Sequence, residues 1–423
     1  MNMVKRSFRL AKRAAEKVKK INTAVIYSKR FGDLRKIEVK SIKYAPCATY
    51  DYVVIVPWLI PGGADNFAIN YANSVQKLNP TKKVLIIATE SSRSSHDVRA
   101  LGLSKKIDFL PLAELVKHDA NSDFIIFLAL KEFLHKINPK VVHVILSKLG
   151  YQYIKKEGNN LKQGGTKIIL TGFNNSITND AGELIGYAVH EIPDCYQYAD
   201  IITTDNQKTK QRWVTLFNFS SDKIVVHNSP ISMPSNNNSR TRKKHTGLHI
   251  LWAAHIRREK NPETLISIAK SMLGENVKFS CYGELDINNY SKNPFVMASL
   301  NNLRYMGSYS NFFTDIDLPD YDLFLYTTLS DGTPTILIEA GLAKLPIITS
   351  GVGGIPELLS NRGTIISNPT SVSQFVKAIK SFQANRANYN KKAADFYKFV
   401  VAQHSRSHFE KQVRSMLEVI GFE

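Results

Sequence analysis

The chain has 423 residues, of which 43% are hydrophobic and 22% charged, so it has enough apolar residues for two cores and does not resemble a disordered chain. Its formal net charge is +20. The longest uncharged apolar runs, 52–60 and 124–130, fall well short of the about 20 residues that a membrane-spanning helix needs. Composition therefore excludes a polytopic membrane protein and favours two α/β domains.

The expected compartment is the cytoplasm. No apolar segment typical of a signal peptide follows the basic N-terminus. Cys47, Cys195 and Cys281 are widely spaced and form no CxxC pair. This spacing indicates a reducing compartment, argues against a zinc site and suggests that the three thiols are buried packing residues.

Residues 1–45 carry 14 Lys and Arg against three acids, more than half of the excess charge. The apolar positions repeat with helical spacing at Val4, Phe8, Ala11, Ala15 and Val18. Such a basic amphipathic helix fits an anionic membrane surface, where each cation near the lipid contributes about 1 kcal/mol. A solvated helix packed on its own domain explains the pattern equally well. No aromatic-interleaved basic motif supports a nucleic-acid partner.

The first domain is expected over residues 49–231, after an extension at 1–48. Tyr52–Pro57 has the length of a strand, a Gly-rich turn follows at Pro61–Asp65, and a helical pattern leads to a strand at Lys83–Ala88. Strand, turn, helix and strand in this order begin a doubly wound parallel sheet. Further strands are predicted at Val141–Leu146, Lys167–Leu170, Ile201–Thr204 and Lys223–Val226.

A polar, charged segment without periodicity predicts a linker at 232–247. A second α/β series follows over 248–400. Its predicted strands are His249–Ala253, Val277–Tyr282, Leu303–Met306, Asp322–Tyr326 and Pro346–Thr349, with helices at Pro262–Met272 and Thr335–Ala343. Two such domains leave a cleft between the carboxyl ends of their strands, where ligands bind.

The most informative segment is Asp322–Ala340, a strand followed by a tight Gly/Pro loop and a helix that begins near Thr335. Unpaired backbone N–H groups at that helix N-terminus would attract phosphate oxygens. Asp331 lies on the loop and Glu339 about one turn inside the helix, where a carboxylate can accept hydrogen bonds from the two hydroxyls of a ribose. Helix capping and surface charge are the alternative explanation.

The run Asp322–Leu359, with its second Gly-rich turn at Ser350–Glu357, resembles the donor-binding segment of family-4 retaining glycosyltransferases, which have the GT-B fold. That family has two Glu separated by seven residues, and Asp331 here replaces the first. The resemblance implies two Rossmann-like domains facing across a cleft, with a catalytic contact from Asp331 to the donor sugar and a ribose contact from Glu339. It implies phosphate contacts from Gly332, Thr333, Pro334, Thr335 and Ile336.

The segment Trp252–Pro262 also matches the family, which has an Arg and a Lys here to neutralise the leaving diphosphate. Lys260 matches by position. His255 occupies the usual place of the Arg, so the resemblance leaves that charge to Arg257 or Arg258. Because cationic side chains can stabilise the departing diphosphate, no metal and no cofactor beyond the nucleotide-sugar co-substrate are expected.

Two features of the first domain are further candidates. Gly62 and Gly63 allow close approach of backbone to a ligand, or they form an ordinary tight turn. The family places this turn against the donor phosphates. His143 lies in a strand-like segment, where a satisfied core histidine is the commoner case, and the family often has a catalytic His near this place. A second family His is missing, since Thr171–Asn174 stands in its position.

The sequence Asp315-Ile-Asp317 has the form of a metal-binding DxD motif, but its acidic, Pro-containing surroundings favour solvated turn residues. In GT-B proteins the last helix often crosses back to the first domain, and this is expected of residues 401–423, within a helical pattern over Asn390–Ile420.

The sequence thus predicts a retaining, metal-independent glycosyltransferase that uses a nucleotide-diphosphate sugar, of UDP type. Its acceptor would be a glycan or a lipid-linked acceptor for a surface polysaccharide, and the enzyme would be cytoplasmic or peripheral on the membrane. Two alternatives remain at this point: a nucleotide-sugar epimerase on the same fold, and a non-catalytic carbohydrate-binding or scaffold protein.

Overall fold

The computed structural model describes residues 49–422, except 61, 91–96, 116–121, 174–176, 179–183, 187–189, 232–242 and 244. The basic extension 1–48, with Cys47, and most of the predicted linker lie outside the described residues.

The first domain is built on a seven-stranded sheet in which the paired strands are parallel, in the order β3-β2-β1-β4-β5-β8-β9. Strands β1, β2 and β4 are buried at every position, as expected when helices cover both faces of a parallel sheet. The strands are β1 Tyr52–Val56, β2 Val84–Ala88, β3 Asp108–Pro111, β4 Val141–Ile145, β5 Lys167–Thr171, β6 Ile177–Thr178, β7 Leu184–Ile185, β8 Ile201–Thr204 and β9 Ile224–Val226, with β6 and β7 forming a separate antiparallel pair. The helices are α1 Gly63–Leu78, α2 Leu112–Leu115, α3 Ser122–Ile137, α4 Lys148–Gln163, α5 Ile192–Cys195 and α6 Gln207–Phe217.

The second domain has a six-stranded parallel sheet in the order β12-β11-β10-β13-β14-β15. Its strands are β10 Leu248–Ala253, β11 Val277–Tyr282, β12 Leu303–Gly307, β13 Leu323–Tyr326, β14 Ile347–Ser350 and β15 Thr364–Ile366. The helices are α7 Pro262–Ser271, α8 Pro294–Ala298, α9 Thr335–Leu342, α10 Ile355–Leu359, α11 Val372–Ala384, α12 Arg386–Gln403 and α13 Arg406–Val419.

Both sheets reverse their strand order at one point, between β1 and β4 in the first and between β10 and β13 in the second. Loops that leave neighbouring strands at such a switch point diverge to opposite faces of the sheet and open a crevice at the carboxyl ends. The loops after β1, β10 and β13 are those that carry the Gly62–Gly63 turn, Lys260 and Asp331. Topology therefore brings the sequence-predicted positions to the edges where ligands bind.

The end of the chain differs from the single helical stretch predicted over Asn390–Ile420. It forms α12 and α13, because the Ser405 side chain accepts a hydrogen bond from the His408 amide and begins a new helix. Helix α12 packs on α9 of the second domain, whereas α13 packs on α1 of the first. Phe409 of α13 contacts the rings of Phe67 and Tyr71 of α1, with centroids 5.5 Å apart in both pairs.

The thiols of Cys195 and Cys281 are free and buried, as predicted. Burial raises the pKa of both, so neither is a reactive thiolate near neutral pH.

Within the described part of the chain, no helix is both long enough and apolar enough to span a bilayer.

Candidate functional site

The turn after β10 holds the loop between β13 and α9 in place through hydrogen bonds. The Leu329 amide and the Thr328 hydroxyl both donate to the carbonyl of Glu259, at 2.7 and 2.8 Å. This contact follows from the topology, since β10 and β13 are hydrogen-bonded neighbours. Two segments about 70 residues apart in sequence thus form one surface at the switch point.

Lys260 and Asp331 meet on this surface. The Lys260 Nζ lies 2.7 Å from Asp331 Oδ2, and each side chain is 19% exposed. The same carboxylate accepts hydrogen bonds from the Tyr326 hydroxyl at 2.6 Å and from the Gly332 amide at 3.0 Å. This ion pair is partly withdrawn from water and supported by further hydrogen bonds, so its two side chains are held in one defined geometry.

Helix α9 begins without a side-chain cap, because its N-cap residue is Pro334. Thr335 and Ile336 open the helix, so their N–H groups have no acceptor within it, and no acceptor elsewhere in the described residues binds them. The N-terminal end of the helix dipole adds a partial positive charge at the same place. These two N–H groups can bind an anion such as phosphate.

Glu339 lies one turn further along α9, partly buried, and its carboxylate has no hydrogen-bond or ion-pair partner among the described residues. Burial raises its pKa to about 7. Burial, and then the charge of Glu339, raise the pKa of Tyr309. A desolvated carboxylate without a partner is costly, and a ligand that donates hydrogen bonds to it would relieve that cost.

Thr333 differs from the other predicted phosphate contacts. Its amide donates to Asp205 Oδ2 at 2.8 Å and its hydroxyl to the Asp205 carbonyl at 2.9 Å. Because Asp205 follows β8 of the first domain, these donors hold the two domains together and are not open to a phosphate in this arrangement. Thr335 and Ile336 are the residues of this loop whose amides remain open.

The Gly62–Gly63 turn of the first domain faces the start of α9. Gly63 is the first residue of α1, and a Cβ built on it would lie 2.9 Å from Thr335 Oγ1. The N-termini of α1 and α9 therefore meet across the cleft, and α1 also lacks a side-chain cap. Asp65, which the sequence analysis did not single out, lies in the first turn of α1, and burial raises its pKa to about 7.

The remaining predicted cations lie on the turn after β10 with different partners. Arg257 Nε is 3.1 Å from Asp286 Oδ2, so this guanidinium is ion-paired within its own domain. Arg258 and His255 are exposed. Desolvation, and then the positive charge of Arg257, lower the pKa of His255, which favours the neutral imidazole. Lys260 is the predicted cation that the structure brings into contact with Asp331.

His143 does not reach the cleft. It is 0% exposed on β4, with Nδ1 2.9 Å from the Tyr52 hydroxyl and Nε2 2.6 Å from Thr171 Oγ1. Burial, and then the neighbouring His227, lower its pKa to about 3. Both ring nitrogens are occupied by other side chains, so the structure places His143 in the core as a satisfied residue, away from the cleft where the predicted catalytic role would be exercised.

In the Asp315–Asp317 segment both Asp side chains are exposed, whereas Ile316 between them is buried. Asp315 accepts hydrogen bonds from the amides of Ser310 and Asn311, and Asp317 pairs with Lys243 at 2.7 Å. Among the described residues, no group of three or more His, Cys, Asp or Glu side chains is arranged to hold a metal ion.

The fold is GT-B, as predicted from the sequence: two Rossmann-like domains face each other across a cleft. Among solved structures, that of Anabaena HepE in complex with UDP-glucose aligns with a TM-score of 0.64 at 11% identity, covering 87% of this chain and 99% of that one. At such low identity the likeness concerns the fold alone.

Residues 235–403 match the family profile of Glycosyl transferases group 1. A phosphatidylinositol N-acetylglucosaminyltransferase GPI3 subunit from Saccharomyces cerevisiae is 46% identical over 57 residues, 14% of this chain and 13% of the yeast protein. The O-antigen biosynthesis glycosyltransferase WbnH from Escherichia coli is 25% identical over 170 residues, 40% of this chain and 47% of WbnH. The chain thus matches less than half the length of these relatives, which support an enzyme of the glycosyltransferase class.

Proposed function

We propose that this protein is a retaining glycosyltransferase that moves a sugar from a UDP-type nucleotide sugar to a hydroxyl of a glycan or lipid-linked acceptor, without a metal ion. The observation that carries the proposal is the unpartnered, desolvated carboxylate of Glu339, placed one turn below the open amides of Thr335 and Ile336. A nucleoside diphosphate offers what these groups lack: two ribose hydroxyls that donate hydrogen bonds, and phosphate oxygens that accept them.

The same groups fit the chemistry of sugar transfer. As the bond between the anomeric carbon and the diphosphate breaks, negative charge grows on the departing phosphate. Three groups are fixed in place before that charge appears: the Thr335 and Ile336 amides, the facing N-terminus of α1 and the cation of Lys260. They therefore stabilise the transition state more than the ground state. Retention would follow from attack by the acceptor hydroxyl on the face that the diphosphate leaves, with the hydroxyl proton passing to a phosphate oxygen.

The comparisons favour this substrate class. The HepE structure contains UDP-glucose, WbnH is described as an O-antigen biosynthesis enzyme, and the yeast relative as a phosphatidylinositol N-acetylglucosaminyltransferase subunit. These descriptions support a UDP-sugar donor and an acceptor for a surface polysaccharide. The 14 cations of residues 1–45 would hold the enzyme at an anionic membrane where a lipid-linked acceptor resides.

Calorimetry with UDP tests the donor site. Glu339→Ala removes the acceptor for the ribose hydroxyls, so UDP affinity should fall by at least 100-fold while circular dichroism and the melting temperature show a folded protein. Glu418→Ala, on the exposed face of α13, is the matched control and should bind UDP like the wild type. If Glu339→Ala binds UDP with unchanged affinity, the donor site does not lie at α9.

A panel of sugar nucleotides in EDTA identifies the reaction. The preferred donor should raise the melting temperature, since a ligand that binds the native state stabilises it. With an acceptor present, the product should keep the anomeric configuration of the donor by NMR. Conversion of the donor without any acceptor would indicate an epimerase, and binding only with added Mg²⁺ would contradict the metal-free site.

A further inference from the structure

One carboxylate of the first domain is bonded to the donor loop of the second. Asp205 is 6% exposed and directly follows β8. It accepts the Thr333 amide on its side chain and the Thr333 hydroxyl on its carbonyl. Gly332 leaves room for it, since a Cβ at position 332 would lie 2.7 Å from Asp205 Oδ2. A buried carboxylate that accepts a backbone N–H from another domain fixes the position of that backbone.

The Asp205 side chain is itself held in place. Asn206 caps α6 by accepting the Thr209 amide on Oδ1 at 2.7 Å, which leaves its Nδ2 to donate to Asp205 Oδ1 at 2.8 Å. Both carboxylate oxygens of Asp205 are thus occupied, one by its own domain and one by the donor loop. Burial raises its pKa to about 6, and the charge of Asp331 acts in the same direction.

The contact is reciprocal. Glu357 on α10 of the second domain accepts the amides of Gln207 and Lys208, at 2.8 and 3.3 Å, and so binds the N-terminus of α6 in the first domain. We call Asp205, Asn206, Thr333 and Glu357 the interdomain clasp. Each domain supplies an acid to the backbone N–H groups of the other, an arrangement that forms only when the domains are close.

We infer that Asp205 is a positioning residue of the donor site: through Thr333 it orients the loop from Asp331 to Thr335, so that the phosphate-binding end of α9 is assembled by the first domain. The inference rests on the proposed function. Asp205 acts through Thr333, because its two carboxylate oxygens accept from Thr333 and Asn206. Its effect is on the loop, which carries the Asp331–Lys260 pair at one end and the open amides of α9 at the other.

Hydrogen exchange on the ligand-free full-length chain tests the assignment without a substrate. Asp205→Asn keeps the size of the side chain but turns one acceptor into an amide donor, which must face a donor of either Thr333 or Asn206. Exchange of the Thr333 amide, read within the segment 330–336, should rise at least tenfold, while β10 keeps its protection. Asp222→Asn, on an exposed turn of the first domain, should leave exchange in 330–336 unchanged. Equal protection in Asp205→Asn and wild type would overturn the inference.

Binding of UDP and uridine separates positioning from general damage. If Asp205 orients the phosphate-binding end of α9, Asp205→Asn should weaken UDP at least tenfold and uridine, which has no phosphate, by less than twofold. Thr333→Val, which removes the hydroxyl bond from the other side of the clasp, should give a smaller loss with the same UDP-to-uridine contrast. Equal losses for UDP and uridine would contradict a positioning role.

The two proposals fail differently. If the wild-type chain binds neither UDP nor uridine, the proposed nucleotide site is wrong. The exchange experiment would still decide whether Asp205 holds the loop. If wild type and Asp205→Asn bind UDP equally well, the proposed function stands and the positioning role of Asp205 is wrong.

Discussion

Glu339 and Asp331 belong to one sequence motif but have opposite environments. Asp331 accepts hydrogen bonds from Lys260, Tyr326 and Gly332, so its charge is compensated. Glu339 has no such donor among the described residues, and burial raises its pKa to about 7. Perturbed carboxylates of this kind concentrate at functional sites, because the cost of desolvation persists only where a ligand offsets it.

This difference predicts a pH dependence of nucleotide binding. Ribose hydroxyls donate to the ionised form of Glu339, so binding favours loss of its proton and affinity should rise as pH increases through 7. Below pH 7, UDP affinity should fall by up to about tenfold per pH unit, and binding should release a proton. The check is calorimetry between pH 5.5 and 8.5 on wild type and Glu339→Gln.

Ionisation of the UDP phosphate is common to both proteins, so the difference between their profiles reports Glu339. Parallel profiles for wild type and Glu339→Gln would show that this carboxylate does not bind the nucleotide.

At the scale of elements, the two helix ends that meet across the cleft both begin without a side-chain cap. Helices α4, α6, α11 and α13 begin with a Ser or Asn side chain that accepts a backbone amide of the first turn. Helices α1 and α9 begin at Gly62 and Pro334 without such a cap. Capping stabilises a helix by about 1 kcal/mol. The two ends that face each other across the cleft lack that stabilisation, and at α9 the Thr335 and Ile336 amides stay open.

The loop at the start of α9 depends on Gly353, in the turn between β14 and α10. Gly353 has φ 53°, and a Cβ there would lie 1.6 Å from the Asp331 carbonyl oxygen. Gly353→Ala should therefore displace the Asp331 backbone and weaken UDP at least tenfold by calorimetry. Gly274→Ala is a matched control, because Gly274 has φ 84° but nothing within 4 Å of a built Cβ. It should cost only about 1 kcal/mol of stability, with normal UDP affinity.

Equal UDP affinities for the Gly353→Ala and Gly274→Ala proteins would mean that the position of the Asp331 backbone does not govern donor binding.

Local sequence patterns were sufficient to predict much of the two-domain fold. Alternating strands and helices gave two doubly wound domains, and the start of α9 at Thr335 was predicted from the Gly/Pro loop before it. Contacts between Asp205 and Thr333 could not be predicted, because they join residues 128 positions apart and a single Asp after a strand is common. The two hydrogen-bond partners of His143 come from other strands, so its sequence neighbours did not show that it is satisfied in the core.

At the scale of the whole molecule, α13 follows the second domain in sequence but packs on α1 of the first domain. Between α1 and α13, Lys77 and Glu410 form an ion pair at 2.7 Å, but the lysine is 66% exposed. Such a surface pair contributes at most about 1 kcal/mol. The apolar contact is larger, since Phe409, Val413 and Met416 are all at most 2% exposed in the core of the first domain. Apolar packing therefore holds the end of the chain against the first domain.

Phe409→Ala should destabilise the first domain, although residue 409 lies beyond the second domain in sequence. The lost ring leaves a cavity beside Phe67, Tyr71 and His227, and such truncations cost about 3–5 kcal/mol. Calorimetric melting should show the loss, and hydrogen exchange should rise in α1. Val419→Ala, at a position 76% exposed, should change neither. If exchange in α1 stays at the wild-type level in Phe409→Ala, α13 does not support the helix whose N-terminus faces the donor loop.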